Sequence, residues 1–264
     1  MGLTASLPEI DKLSDTVFVV HEKSEKHIPL HQHTKDQLSY VEGGVAYVTV
    51  GYETYVVPAR HYLWIPKHLP HTLKVSHSAT VFRSLFFYSE TNSPHEFYHK
   101  LGIYPANELI IQMINYTERW DGQHVDKTDE NFEFLISLKK ILPTLNQNSL
   151  SIILPTTNDS RLLQITKYLE NNIDKPICLS EMGIRFNMSE RSISRLFRHN
   201  MNVSFFQYLK ILRMVHAIEL ILKTNKTLSE IAFSVGYETL GAFSNTFHEF
   251  TKIRPSDLRK NTSS

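Results

Sequence analysis

The chain has 264 residues, one cysteine and a formal net charge of +1. This length suits two domains better than one, and an apolar share of 41% is enough for two hydrophobic cores. The single cysteine, Cys178, excludes an internal disulfide and a cysteine-rich zinc site, and we expect it in a core. The N-terminal residues do not resemble a secretion signal and no run has the length of a membrane span, so we expect a cytoplasmic protein with no membrane partner.

The small net charge hides a difference between the two parts of the chain. From residue 158 onward there are 15 Lys and Arg against 10 Asp and Glu, whereas the first 157 residues carry 13 against 17. Histidines follow the opposite trend, with 11 before residue 158 and three after it. The mildly basic C-terminal part is compatible with a polyanionic partner and does not establish one by itself.

The first part of the chain has the composition of a β domain. Residues 16–88 contain short runs rich in Val, Thr, Tyr and Phe, which are broken by Gly43-Gly44 and by prolines at the spacing of a sandwich or barrel. We therefore predict an N-terminal all-β barrel that occupies residues 1–90.

A helical extension follows this barrel. Residues 107–120 and 130–142 each place apolar side chains at helical spacing, which predicts two amphipathic helices within a segment over residues 91–145. Their apolar faces either pack on the barrel or form a homodimer interface, and the sequence leaves both open. Residues 146–158, rich in polar residues and proline, are predicted to be a linker.

The last part of the chain, residues 159–264, is predicted to be all-helical. Ser204 with Gln207 and Thr227 with Glu230 match the capping box, in which a Ser or Thr is followed three residues later by Gln or Glu. These two pairs predict the starts of a long helix and of a short one.

This helical part contains a repeat. Residues 179–197 and 228–247 both open with Leu-Ser-Glu, continue through a small residue and a turn, and end in a second helix with a terminal Phe. A helix-turn-helix unit explains each part, because Asn and Gly tolerate the left-handed backbone of the corner and a small residue lets the two helices approach. The matched positions are Gly183 with Ala232, Asn187 with Gly236, Ser189 with Thr239, and Phe197 with Phe247.

The second helix of the first repeat has a polar face opposite its apolar one. Arg191, Ser194, Arg195 and Arg198 recur at i, i+3, i+4 and i+7. Arginine offers a planar fork of donors that matches guanine edges and phosphates. A solvated charged face would look the same in one helix, but two tandem repeats favour DNA binding.

Residues 227–260, TLSEIAFSVGYETLGAFSNTFHEFTKIRPSDLRK, resemble the signature of AraC-type transcriptional regulators. The resemblance implies two recognition helices in successive major grooves of double-stranded DNA. The second recognition helix differs from the first because it carries no arginine. We therefore expect it to discriminate between bases less than the first does. The residues it would offer are Leu240, Gly241, Ser244 and Asn245, with Lys252, Arg254, Arg259 and Lys260 as phosphate contacts.

Residues 31–73 resemble the cupin-like sensor domain that often accompanies AraC-type modules. In enzymatic cupins a His-x-His pair, a downstream Glu and a later His hold one metal. The corresponding residues here are His31, His33, Gln37 and His71, and Gln37 removes the charge of the expected carboxylate.

Three functions of this cluster stay open. One is a metal-dependent enzyme, the second a site for one divalent metal, and the third, which the sequence favours, a small-molecule effector pocket. In the pocket, histidines and Gln37 would supply polar contacts and Tyr40, Tyr47, Trp64 and Phe86 aromatic walls. The other histidines singled out in this part are expected on the surface or in loops: His61, His68, His77, His95 and His99.

Taken together, the sequence predicts a sequence-specific DNA-binding transcription regulator, with activators and repressors both possible. It would respond to a small molecule or a metal in its cupin-like domain, and it would not be an enzyme. The alternative is a metal-dependent cupin enzyme fused to a DNA-binding module.

Overall fold

A computed structural model describes residues 3–23, 27–75, 81–88, 95–145, 149, 152–251 and 253–260. The chain divides into two compact units, one formed by residues 1–51 and 57–151 and the other by residues 52–56 and 152–264. Two short 3₁₀ helices, Glu96–His99 and Thr117–Trp120, lie in the first unit. The strands are β1 (Val17–Glu22), β2 (His27–His31), β3 (Asp36–Val41), β4 (Val45–Val50), β5 (Glu53–Pro58), β6 (His61–Ile65), β7 (His71–Val75), β8 (Phe82–Phe87), β9 (Gly102–Pro105), β10 (His124–Val125) and β11 (Ile153–Pro155). The helices are α1 (Leu3–Ile10), α2 (Glu108–Tyr116), α3 (Phe132–Leu145), α4 (Ser160–Asn171), α5 (Leu179–Phe186), α6 (Glu190–Met201), α7 (Phe205–Lys223), α8 (Leu228–Ser234), α9 (Leu240–Thr251) and α10 (Pro255–Lys260).

The first unit is a two-sheet β domain. Its larger sheet has the strand order β10-β1-β8-β3-β6-β9, and in the other sheet β7 pairs with both β2 and β4. All of these pairings are antiparallel. The predicted all-β N-terminal domain is confirmed, although the strands of the described residues form two separate sheets rather than a closed barrel.

Strands of the larger sheet are buried on both faces. Every residue of β1, β3, β6 and β8 is buried. Side chains alternate between the faces of a strand, so Leu38 and Tyr40 share one face of β3 while Gln37 and Ser39 share the other. Leu38 and Tyr40 pack into an apolar cluster with α2 and α3, which explains why this face is also free of solvent.

The helical extension uses most of its apolar surface within the chain. Ile110 and Ile114 of α2 and Leu135 and Leu138 of α3 are each fully buried in that cluster. Leu109 and Tyr116 of α2 and Leu145 at the end of α3 are exceptions, since 50%, 43% and 37% of their surfaces are exposed. The packing alternative therefore accounts for the main apolar faces of both helices, and a homodimer interface stays a prediction.

In its described residues the second unit is helical apart from β11 and residues 53–56 of β5, and β11 pairs antiparallel with residues 53–55. Both predicted capping boxes are present, Ser204 with Gln207 at the start of α7 and Thr227 with Glu230 at the start of α8. Among the described residues, no helix is both long and apolar enough to cross a membrane.

Both corners of the predicted repeat have the expected backbone. Asn187 has φ of 50° and Gly236 has φ of 79°, and both values lie in the left-handed region. The reason for a small residue at Gly183 differs from the prediction. A Cβ there would lie 2.7 Å from the carbonyl oxygen of Met188, so the backbone of the turn, and not the second helix, makes the close approach.

The side chain of Arg213 links the backbone that precedes the first repeat to the second repeat. Arg213 of α7 donates from Nε to the carbonyl of Ile173 at 3.1 Å and from Nη2 to the carbonyl of Lys175 at 2.8 Å, just before α5. Its guanidinium also lies 6.0 Å from the ring of Tyr237, in the second repeat. Gly236 borders the same group, because a Cβ there would collide with Arg213 and lie 2.7 Å from the Ile173 carbonyl.

Candidate metal centre and nucleic-acid interface

Three histidines converge where β2 ends and β7 begins. His31 and His71 are direct partners across the two strands, and their ring centroids are 4.2 Å apart. His33 follows two residues after the end of β2, and its centroid is 5.4 Å from that of His71. One ring nitrogen from each of the three lies within 4.8 Å of the other two. Small side-chain rotations would bring such atoms to the spacing of ligands around one ion, whose bonds to histidine are about 2.0–2.1 Å long.

Hydrogen bonds to the backbone determine which nitrogen of each ring faces the centre. A carbonyl oxygen only accepts, so each Nδ1 carries a proton and leaves the lone pair of a neutral ring on Nε2. Metal-binding histidines are characteristically oriented in this way by a carbonyl or carboxylate behind the ring. The three bonds run from His31 to Pro29 O at 2.9 Å, from His33 to Lys35 O at 2.6 Å, and from His71 to Leu69 O at 2.8 Å.

Two of the Nε2 atoms have no partner. Those of His31 and His71 are buried and make no hydrogen bond to any of the described residues. Leaving a buried polar atom unsatisfied costs about 1–3 kcal/mol. His61 and His124 also have such an Nε2 atom, but only His31 and His71 lie beside further histidines. A cation bound between the rings would satisfy both lone pairs at once.

Gln37 completes the group. Its Oε1 is 2.9 Å from Nε2 of His33, while its Nε2 donates to Ser39 Oγ at 2.7 Å. In this orientation two acceptors face each other, and either the amide turns so that it donates to His33 or a cation lies between them.

Burial keeps the histidines neutral. It lowers the pKa of His71 to about 3, with the nearby His31 as a further cause. Burial also lowers the pKa of His31 and of His33. Neutral imidazole is the form that binds metals, so no proton has to leave Nε2 near neutral pH. Three imidazole nitrogens and one amide oxygen suit Zn²⁺, Ni²⁺, Co²⁺, Fe²⁺ or Cu²⁺ better than Mg²⁺ or Ca²⁺.

Some predicted pocket residues lie elsewhere. Tyr40 and Trp64 belong to the cluster under α2 and α3, on the face of the larger sheet opposite Gln37, so they do not line the histidine site. Phe86 does contact it, edge-on to His33 with centroids 5.1 Å apart. His61 corrects a prediction, because it is buried within β6 rather than exposed.

Ser39 and Ser84 were not predicted from the sequence, and they extend the hydrogen bonds of Gln37 into the sheet. Ser39 Oγ is 2.8 Å from Ser84 Oγ, and both residues are fully buried. Ser39 could have been found, since a residue two positions along a strand shares its face. Ser84 comes from β8, and only the strand pairing reveals it.

The second helix of the first repeat, α6, presents its arginines to solvent. Arg191, Arg195 and Arg198 are exposed and Ser194 is half-buried. The opposite face is anchored by Ile193 and Phe197, both with no exposed surface. Ser189 caps the helix by accepting from the Ser192 amide at 3.1 Å.

In the second repeat, helix α9 carries less positive charge than α6 does. Leu240, Gly241 and Asn245 are exposed and Ser244 is half-buried. Nη1 of Arg254 lies 3.4 Å from Oδ1 of Asn245, so this exposed arginine borders the same face. Of the predicted phosphate contacts, Lys260 is exposed, Arg259 is half-buried and Lys252 lies outside the described residues.

The prediction that Cys178 lies in a core is wrong. It is exposed rather than in a core, and it precedes α5 with its Sγ 3.1 Å from Ser180 Oγ.

The fold and its two sites define a protein that joins a β-sheet ligand-binding domain to a helix-turn-helix domain. Family models match both parts, an AraC-like ligand binding domain over residues 17–88 and a helix-turn-helix domain over residues 183–261. The chain belongs to the AraC-type family of transcriptional regulators.

Two characterised relatives illustrate this family. The regulator GbdR of Pseudomonas aeruginosa is 32% identical over 104 residues, which is 39% of this chain and 28% of GbdR. The activator RhaR of Escherichia coli is 25% identical over 173 residues, which is 66% of this chain and 60% of RhaR. The chain therefore spans less than two thirds of either relative. The solved structure of ToxT from Vibrio cholerae covers 94% of this chain and 98% of its own at 13% identity and a TM-score of 0.40, too low to add to the assignment.

Proposed function

We propose that this chain regulates transcription by binding double-stranded DNA through α6 and α9. The observation that carries the proposal is the exposed arginine face of α6, held on a capped helix behind a left-handed corner and repeated in architecture at α9. Arginine forks can read guanine edges in the major groove while neighbouring cations hold phosphates. A protein that regulates transcription in this way would be located in the cytoplasm.

The test begins with selection of binding sites from random DNA duplexes, followed by affinity measurements on the selected site and its single-base variants. Arg195→Ala should cost about 1–3 kcal/mol on the selected site and relax the preference at one position. Arg195→Lys is the matched control, because it keeps the charge and loses the fork. Equal losses on all sequences would make Arg195 a phosphate contact, and unselective binding by the parent would contradict the proposal.

We further propose that the N-terminal unit holds one divalent metal at His31, His33, His71 and Gln37. The support is the set of Nε2 lone pairs that converge there, two of them buried without a partner among the described residues. Metal would serve as the effector or as its anchor. The alternative function, a metal-dependent enzyme fused to a DNA-binding module, would show itself as metal-dependent turnover of a small molecule by the whole chain.

Elemental mass spectrometry of untagged protein, prepared without chelator, tests the metal site. Near-stoichiometric metal in the parent and its loss in His31→Ala/His33→Ala are expected. His27→Ala is the control, since His27 is an exposed histidine of the same strand, β2. Metal-free parent protein that also fails to take up added Zn²⁺ would refute the site and leave a pocket for an organic effector.

A homodimer is a separate proposal. Leu109 and Tyr116 of α2 expose 50% and 43% of their surfaces, seven residues apart and so on the same side of the helix. Sedimentation equilibrium of the parent and of Leu109→Glu tests it, and a parent that stays monomeric at micromolar concentration would contradict it.

A further inference from the structure

The ligands of the proposed metal centre carry no charge. Three neutral imidazoles and the Gln37 amide would surround an ion with two positive charges in a largely buried site. A buried charge without compensation is unfavourable, and a site of this kind gains from a negatively charged ligand.

Among the described residues, the two carboxylates that act electrostatically on His33 already have other partners. Asp36, on the strand of Gln37, accepts from the ammonium of Lys139 at 3.3 Å and from the Lys67 amide at 3.1 Å. The carboxylate of Asp11 holds the amide and hydroxyl of Thr34 at 2.8–3.0 Å.

The centre lies nearest to solvent on the side of His31. His33 and His71 are buried at 3% and 1% exposure, whereas His31 is half-buried as a residue, although its Nε2 is covered, so an incoming ligand would have to turn this ring aside. A small ligand could approach past His31 and either add to the ion or displace the weakly bound amide of Gln37. Zinc-type ions accept a change from four to five ligands readily.

We propose that the effector of this domain is a small organic anion that ligates the metal through a carboxylate-type oxygen. The inference rests on the proposed metal centre and adds the chemical class of its ligand. The anion supplies the charge that Gln37 does not, so metal and effector bind cooperatively.

The test uses the whole chain loaded with Co²⁺, whose visible absorption reports changes in its inner ligands. Acetate is titrated first, and acetamide serves as its neutral counterpart of nearly equal size. Acetate should change the spectrum with saturation, whereas acetamide at the same concentrations should not. Acetate binding to the metal-free chain should be at least about tenfold weaker, because the attraction of a unit charge to the ion is lost.

Gln37→Glu makes the test specific. A carboxylate at this position should tighten Co²⁺ binding and weaken acetate binding to the Co²⁺ form, each by about tenfold or more. A variant that merely disturbed the fold would weaken both, so opposite directions identify the charge as the cause. Far-UV circular dichroism and thermal unfolding of the metal-free variant confirm that it folds.

The outcomes separate the two proposals. Co²⁺ uptake that His31→Ala abolishes, without any acetate effect, would keep the metal centre and overturn the anion. Equal responses to acetate and acetamide would overturn it as well. Absence of Co²⁺ and Zn²⁺ uptake would refute both.

Discussion

Nη1 of Arg83 lies 2.7 Å from Nδ1 of His21 inside the first unit, so the ring accepts a hydrogen bond from a cation. The other ring nitrogen is 3.1 Å from the Thr117 hydroxyl and donates to it. A histidine held in this way stays neutral, and burial, with Arg83 as the next cause, lowers its pKa from 6.5 to about 4. Asp121 and Glu118 oppose the shift without cancelling it.

This arrangement predicts a pH dependence of stability. Between about pH 6.5 and 4 the unfolded chain binds a proton at His21 that the folded chain does not, so the stabilisation is present above this window and lost as pH falls through it. His21→Gln should flatten the free energy of unfolding over this window by up to about 1.4 kcal/mol per pH unit. Denaturant titrations with chelator present measure it, and the exposed His27→Gln is the control. Parallel curves for His21→Gln and the parent would contradict the assignment.

Two glycines of the second repeat should respond to alanine in opposite ways. Gly236→Ala puts a Cβ against Arg213 and the Ile173 carbonyl at φ of 79°, so we expect a loss of about 1–3 kcal/mol. Gly241→Ala meets nothing within 4 Å inside α9 and should gain up to about 1 kcal/mol from helix propensity. Thermal and urea unfolding measure the change in stability of each variant. Equal effects at both positions would show that the corner at Gly236 is not constrained.

The buried ion pair between Lys139 and Asp36 should be costly to break from one side. Nζ of Lys139 also donates to the Tyr88 carbonyl at 3.0 Å and lies 5.4 Å from the ring of Tyr98. Lys139→Met leaves the carboxylate buried without its cation and should destabilise the chain by about 3–5 kcal/mol. Asp36→Asn/Lys139→Met should recover much of this loss. A double variant as unstable as the single one would instead place the cost in lost packing around Lys139.

Arg254 should act on DNA through charge alone, on the proposed function. Arg254→Ala is expected to weaken binding about equally on all duplexes and to reduce the slope of affinity against salt by about one unit. Fluorescence anisotropy over a range of salt concentrations measures both. A loss confined to the selected site would show that Arg254, bonded to Asn245, supports base readout instead.

The features that could be predicted from sequence are those with local causes. The corners at Asn187 and Gly236 and the capping box of Ser204 with Gln207 depend on residues a few positions apart, and all three are confirmed. His31 and His71 were grouped by resemblance, and the cross-strand pairing places them together.

What sequence could not reveal depends on which surfaces become covered. Side chains alternate along β3 as expected, but α2 and α3 cover the face that Tyr40 occupies. Tyr40 therefore does not line the predicted pocket. Lys139 lies in a predicted amphipathic helix, where a lysine is usually solvated. The fold instead places it beside Asp36, which lies 103 positions away. Cys178 was expected in a core because its neighbours are apolar, whereas it precedes a helix and faces solvent.

The contacts of Arg213 with the backbone before the first repeat and with Tyr237 of the second repeat restrain the distance between the two repeats. The 19 residues of α7 set a span of about 28 Å, and Arg213 ties that span to the backbone before α5 and to the ring of Tyr237. On the proposed function, this restrained distance makes binding depend on the helical phase between the two contacted stretches of DNA as well as on their sequence. Five extra base pairs between these stretches would turn the second groove to the far side of the duplex, out of reach of α9.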